Sequence, residues 1–119
     1  MRNFRNLEIW NNAIELAKNI YLLTSQLPAS EKYGLASQMQ RAAVSISSNI
    51  AEGASRRTEN DFARFLDIAL GSSFELETQL IITKEIGFKT QDELDTQLKT
   101  LSTLQKQINT LITKIRRTI

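Results

Sequence analysis

The sequence predicts an all-α protein, an up-down-up-down antiparallel four-helix bundle, and three observations carry that expectation. Apolar residues recur at three- and four-residue spacing along nearly the whole chain, which is a helical period. The 119 residues include only 4 Gly and 1 Pro, too little turn material for a sandwich or barrel. The helical stretches are separated by only a few residues, and loops that short force consecutive helices to run antiparallel.

The first helix is expected over Asn6–Gln26. One apolar row runs Leu7, Trp10, Ile14, Ala17 and Tyr21, and a second runs Ile9, Ala13, Leu16, Ile20, Leu23 and Leu27. Together they make a stripe wider than one bundle core needs. Pro28 ends the helix. The second is expected over Ser30–Gly53, through Leu35, Met39, Ala42, Ala43, Ile46 and Ile50, with Gly34 marking an irregular first turn. The third opens at Thr58, three residues before Asp61, with Glu59 and Asp61 on the positive end of the helix dipole. Phe62, Leu66, Ala69, Ser73, Leu76, Leu80 and Thr83 repeat along it, and Gly87 stands where a left-handed cap belongs. The fourth opens with the capping box Thr90–Glu93 and carries Leu94, Leu98, Leu101, Ile108, Ile112, Ile115 and Ile119. Leu104 and Leu111 widen its stripe, and the surplus on the first and fourth helices is expected to be buried between protomers. Helices of about 20 to 29 residues span about 30 to 43 Å. A single bundle domain over residues 1–119 is expected.

Two zeros narrow the chemistry. Without Cys there are no disulfides, thiolate nucleophiles or zinc-thiolate sites. Without His, the Glu-x-x-His pairs of di-iron bundles and the Ser-His and Cys-His catalytic arrangements are gone as well. Glu75 and Glu77, two apart, point to different sides of a helix. Asp92, Glu93 and Asp95 sit where first-turn acids complement the dipole rather than bind magnesium. No Lys lies near Ser45, Ser47 or Ser48 for a Ser-Lys pair, and no Gly-rich phosphate loop is present. The chain is expected to be no enzyme and to use no metal or cofactor. No run approaches the ~20 apolar residues of a membrane span, so a cytoplasmic protein with no membrane partner is expected.

The run Ser45-Ile46-Ser47-Ser48-Asn49-Ile50-Ala51-Glu52-Gly53 is unusual for a helix, because Ser and Asn compete for backbone hydrogen bonds. The expected reason is a close crossing with Ala69, Gly71, Ser72 and Ser73, with Gly71 there for backbone contact and Glu52 paired to Arg64 or Arg56. A binding site is the other reading of this segment.

These residues resemble a known family. Phe4-x-x-Leu7-x-x-Trp10, Leu27-Pro28-x-x-Glu31-x-Tyr33-Gly34-Leu35-x-x-Gln38, Arg41-Ala42-Ala43-Val44-Ser45, Asn49-Ile50-Ala51-Glu52-Gly53 and Phe65-Leu66-x-Ile68-Ala69-x-Gly71-Ser72-x-x-Glu75-Leu76 are similar to the 23S rRNA intervening-sequence proteins. The likeness covers roughly residues 4 to 88, and the fourth helix matches only as an amphipathic pattern. It implies a homopentameric ring of small bacterial bundles with no known catalytic activity, related to the accessory protein of diversity-generating retroelements. It implies no established catalytic residues.

The net charge is only +2, so placement matters more than amount. Bundle topology brings Arg2, Arg5, Arg56, Arg57, Lys114, Arg116 and Arg117 to one end, against Glu8, Glu52, Glu59 and Asp61. Glu31, Asp92, Glu93 and Asp95 gather at the other end, with Lys32 and Lys89. The functional expectation is a non-enzymatic oligomer that offers this basic end to RNA or DNA, or to a nucleic-acid-processing protein. The alternative is a structural adaptor for another protein, its terminal cations merely complementing the helix dipole.

Overall fold

The computed structural model describes residues 1–118, and all of its regular structure is helical among those residues. Ile119, expected to close the stripe of the last helix, lies outside the described residues. Four helices form: α1 over Glu8–Thr24, α2 over Leu35–Ala54, α3 over Glu59–Glu85 and α4 over Gln91–Thr118. Short 3-10 turns at Phe4–Asn6 and Ala29–Glu31 precede α1 and α2.

Local chemistry sets these boundaries. The first helix starts two residues later than expected because the Asn3 side chain accepts the Arg5 N–H (3.1 Å) and diverts the chain into a 3-10 turn. The second starts at Leu35 rather than Ser30. The chain after Pro28 makes a 3-10 turn, and Gly34 adopts φ −112°, ψ −111° before the helix begins. Thr58 accepts the Asp61 N–H (3.1 Å) to open α3. Between α3 and α4 every step is sealed. Gly87, at φ +86°, donates to Lys84 O (3.0 Å) and Phe88 donates to Thr83 O (3.1 Å), the two bonds of a Schellman cap. Thr90 N–H then donates to Glu93 Oε1 (2.9 Å) while Glu93 N–H donates to Thr90 Oγ1 (3.2 Å), a reciprocal capping box.

The helices pack in cyclic order: α1 touches α2 and α4, α3 touches α2 and α4, and α1 and α3 stand diagonally. The resulting body measures 46 × 22 × 19 Å. Its core takes the second α1 row whole (Ile9, Ala13, Leu16, Ile20, Leu23 and Leu27), together with Met39, Ile46, Ile50, Phe62, Leu66, Leu76 and Leu80. Burying each large aliphatic or aromatic side chain contributes roughly 1.5–3 kcal/mol. From α4 come Leu94, Leu101, Leu104, Ile108, Ile112 and Ile115. Leu104 is therefore no surplus: at 1% exposure it belongs to the protomer's own core. Leu111 is half-buried. Of the first α1 row, Ala17 is buried and Leu7 and Trp10 half-buried, while Ile14 and Tyr21 stay 43% and 46% exposed.

The expected close crossing of α2 and α3 exists, with Ser45 meeting Ser72 across it, but the glycine that permits it is Gly53 and not Gly71. A Cβ on Gly71 would meet nothing within 4 Å, because the position falls on the outward face of α3 and its neighbour Ser72 faces α2. A Cβ on Gly53 would stand 2.5 Å from the Phe65 Cβ and 3.1 Å from Phe62 Cδ1. The serine-rich segment acts as a polar bridge across this interface. The Ser45 and Ser72 hydroxyls lie 2.8 Å apart, and the Asn49 amide donates to both Ser45 O (2.8 Å) and Ser45 Oγ (3.0 Å). Far from this crossing, the Lys89 ammonium is nearly buried and ties the α3–α4 turn to the end of α1 through Gln26 Oε1 (2.5 Å) and Glu93 Oε2 (3.3 Å).

Candidate nucleic-acid interface

The antiparallel fold places the chain start, the α2–α3 turn and the end of α4 at one end of the bundle. Arg2 anchors that arrangement. Its backbone N–H donates to Ala54 O (2.8 Å), and its guanidinium lies 2.5 Å from Glu59 and 5.0 Å from the centre of the Phe62 ring. The Arg5 guanidinium lies 4.7 Å above Phe4, whose ring meets Trp10 edge-on at 5.1 Å. Arg56 reaches back to Glu52 (2.9 Å) and covers Phe65 at 4.7 Å. Arg64 approaches the same ring at 5.4 Å and pairs with Asp61 (3.5 Å), so Glu52 takes Arg56 alone.

Arg116 forms a two-pronged pair with Asp67, an acid that topology alone did not bring to this end. Asp67 holds the Arg116 guanidinium more firmly protonated than usual. The contact also shows that the expected end is stepped. Asp67 lies eight residues into α3, so the last turn of α4 meets α3 about 12 Å below its start. The seven cations thus form a rim group (Arg2, Arg5, Arg56 and Arg57) and a flank group (Lys114, Arg116 and Arg117).

Ion pairing divides them again. Arg2, Arg56 and Arg116 are paired, and exposed pairs of this kind contribute only about 0–1 kcal/mol each. Arg5, Arg57, Lys114 and Arg117 are exposed and pair with no carboxylate among the described residues. Lys114 and Arg117 border a shallow recess of about 380 Å³ with Asn109, Thr110, Thr113 and Thr118.

At the opposite, acidic end Glu93 and Asp95 pair with Lys89 and Lys99, while Glu31, Glu85 and Asp92 pair with no cation among the described residues. The Thr90 backbone N–H, then the Lys89 ammonium, hold the Glu93 carboxyl below its ordinary range, and Lys99 does the same for Asp95. Arg41 is exposed on α2, and Glu75, exposed on α3, accepts from the Gln79 amide (3.3 Å). No group of three or more acids that could hold a metal ion occurs among the described residues. No described helix is long and apolar enough to cross a membrane.

Four antiparallel helices around one apolar core define the molecule as an all-α four-helix bundle, with a stepped, partly unpaired basic end. Residues 5–110 match the model of the 23S rRNA-intervening sequence protein family, and the chain belongs to that family. A crystal structure of a protein of unknown function from the S23 ribosomal protein family of Bacteroides thetaiotaomicron shares the fold. It superimposes with a TM-score of 0.82 at 23% identity, covering 87% of this chain and 97% of that one. No match among curated proteins was found.

Proposed function

We propose that this protein is a non-enzymatic, oligomeric bundle that binds the phosphate backbone of RNA or DNA through the basic end. The observation that carries this reading is the set of four cations, Arg5, Arg57, Lys114 and Arg117, without carboxylate partners among the described residues at one end. Dipole complementation accounts for Lys114 and Arg117 at a helix C-terminus, yet gives no reason for Arg5 and Arg57. Neutralised phosphates release counterions, so such a surface gains affinity as salt falls.

Self-association is the second part of the proposal, and the family resemblance supplies the number five. Its support is the distribution of exposed apolar side chains. Ile14, Tyr21 and Val44 border the α1–α2 seam, while Phe74 and Ile81 flank α3 on its α4 side. Patches on opposite sides of a body favour head-to-tail contacts, which close into rings, over two-fold self-pairing.

The test changes Arg5, Arg57, Lys114 and Arg117 together to Gln. Affinity for RNA and DNA is expected to fall alike for all sequences. The slope of log affinity against log salt is expected to shrink by about one for each phosphate that the variant no longer neutralises. Unchanged affinity and slope would reject the basic end as the docking surface.

A further inference from the structure

The outward surface of α4 differs in kind from those of its three neighbours. From Thr96 to Thr118 the helix carries five cations and no acid. Its buried residues Leu101, Leu104, Ile108, Ile112 and Ile115 fix the inward face. Directly opposite, at spacings of three and four, stand Lys99, Thr103, Lys106, Thr110, Thr113 and Arg117, every one exposed. Eighteen steps of 1.5 Å make this line about 27 Å long. It is built entirely of ammonium, guanidinium and hydroxyl groups, and Lys114 and Asn109 flank it.

The other helices offer nothing similar. The α1 surface exposes Ile14, Tyr21 and Leu22 beside Glu15, and α2 exposes Val44 and Glu52. On α3 the exposed residues include Ile68, Phe74, Ile81 and Ile82, and its cations Arg64 and Lys84 are mixed with Asp67, Glu75 and Glu85. In α4 no large apolar side chain is exposed among the described residues. Lys106 and Asn109 share a shallow recess with Leu70 and Phe74 of α3, so the α4 line runs beside the exposed apolar patch there but carries no large apolar side chain of its own.

We infer that a nucleic-acid backbone runs lengthwise along this line on α4, and that the basic end is only where the track finishes. Phosphate oxygens are contacted in nucleic-acid complexes by Arg and Lys and by the hydroxyls and amides of Ser, Thr and Asn, which are the side chains found here. Lys99 is partly engaged by Asp95 (2.9 Å), whereas Lys106, Lys114 and Arg117 have no carboxylate partner among the described residues. The line reads no bases: its groups are positively charged or hydroxylic at regular intervals, which suits a repeating polyanion of any sequence. This inference rests on the phosphate-binding reading and extends it to Lys106, Thr110 and Thr113, none of which lies at the rim.

The experiment uses the full chain, a labelled duplex RNA and a single strand of the same sequence, titrated at two salt concentrations. Lys106→Gln and Thr110→Glu are made separately, both at exposed positions where the fold is retained, as circular dichroism will check. Lys106→Gln is expected to lower affinity several-fold and reduce the salt slope by about one. Thr110→Glu is expected to cost more, because it sets a negative charge in the middle of the track. If both variants bind as tightly as the parent while the Arg5, Arg57, Lys114 and Arg117 substitution weakens binding, the lengthwise track is wrong and the end alone is the site. If the parent binds neither these RNAs nor a DNA duplex of the same sequence at low salt, the phosphate reading falls and the track falls with it.

Discussion

Gly53 of α2 and Phe65 of α3 lie so close that a side chain on the glycine would place its first carbon 2.5 Å from the Phe65 Cβ. Neither atom can yield cheaply, since the Phe65 Cβ is fixed to its helix and Phe62 O stands 3.3 Å from the same position. Gly53→Ala is therefore expected to push the helices apart and destabilise by about 1–3 kcal/mol, lowering the thermal midpoint. An unchanged midpoint would show that the crossing tolerates separation.

Gly71 gives the opposite expectation. It sits within α3 with open space where its side chain would be, so it costs the helix about 0.5–1 kcal/mol relative to alanine. Gly71→Ala is expected to raise stability by that amount in denaturant melts. Destabilisation would mean that another chain approaches this spot in the assembly.

At Gly87, φ +86° places the backbone where a Cβ is strained, although space around it is free. Gly87→Ala is expected to cost about 1–2 kcal/mol with no change in self-association. A stability loss well below that range would indicate that the α3–α4 turn re-forms in another conformation.

Self-association has its own test. Light scattering at micromolar concentration is expected to give about five times the 13.5 kDa chain mass. Tyr21→Ser and Phe74→Ser, on opposite sides of the bundle, should each weaken the assembly while leaving helicity intact. A monomeric parent protein would remove the ring.

Acid sensitivity follows from Glu93. Its carboxyl is held below its ordinary range, first by the Thr90 N–H and then by Lys89. A lowered value in the folded state means stability that is complete above the unfolded value and lost as pH falls through the folded one. The α3–α4 turn should thus weaken only as pH falls below the ordinary carboxylate range of Glu93. Glu93→Gln should flatten this part of the stability profile, measured as melting midpoint against pH.

The bundle was legible in the sequence because its signals are local and redundant. The capping box at Thr90 and Glu93, the cap at Gly87 and the Pro28 stop each bound an element without needing the others. Gly34 marked an irregular start to α2 in the sequence, but the 3-10 turns themselves were not legible. They rest on single local geometries, such as the Asn3 side chain accepting the Arg5 N–H, that leave no periodic trace. Gly71 misled for a related reason. A mid-helix glycine suggests close contact, yet one step of 100° separates it from Ser72, which makes the contact. The cations of the candidate interface could be placed at one end from topology alone. Their pairing could not, because Arg116 meets Asp67 only once the offset between α4 and α3 is known. The uninterrupted absence of acids after Asp95 was visible in the sequence, and projecting it on the helix face would have found Lys106 and Thr110.

Trp10 is the only tryptophan in the chain, half-buried and edge-on to Phe4, above which Arg5 rests. The protein thereby carries a built-in optical reporter one aromatic ring away from a rim cation. Emission from this indole can follow polyanion arrival without any attached label. Two residues beyond the indole, Asn12 meets Gln107 of α4 (3.0 Å), and Lys99 lies eight residues, about 12 Å, further from the rim. The same signal therefore separates ligands that stop at the far part of α4 from those that reach the rim.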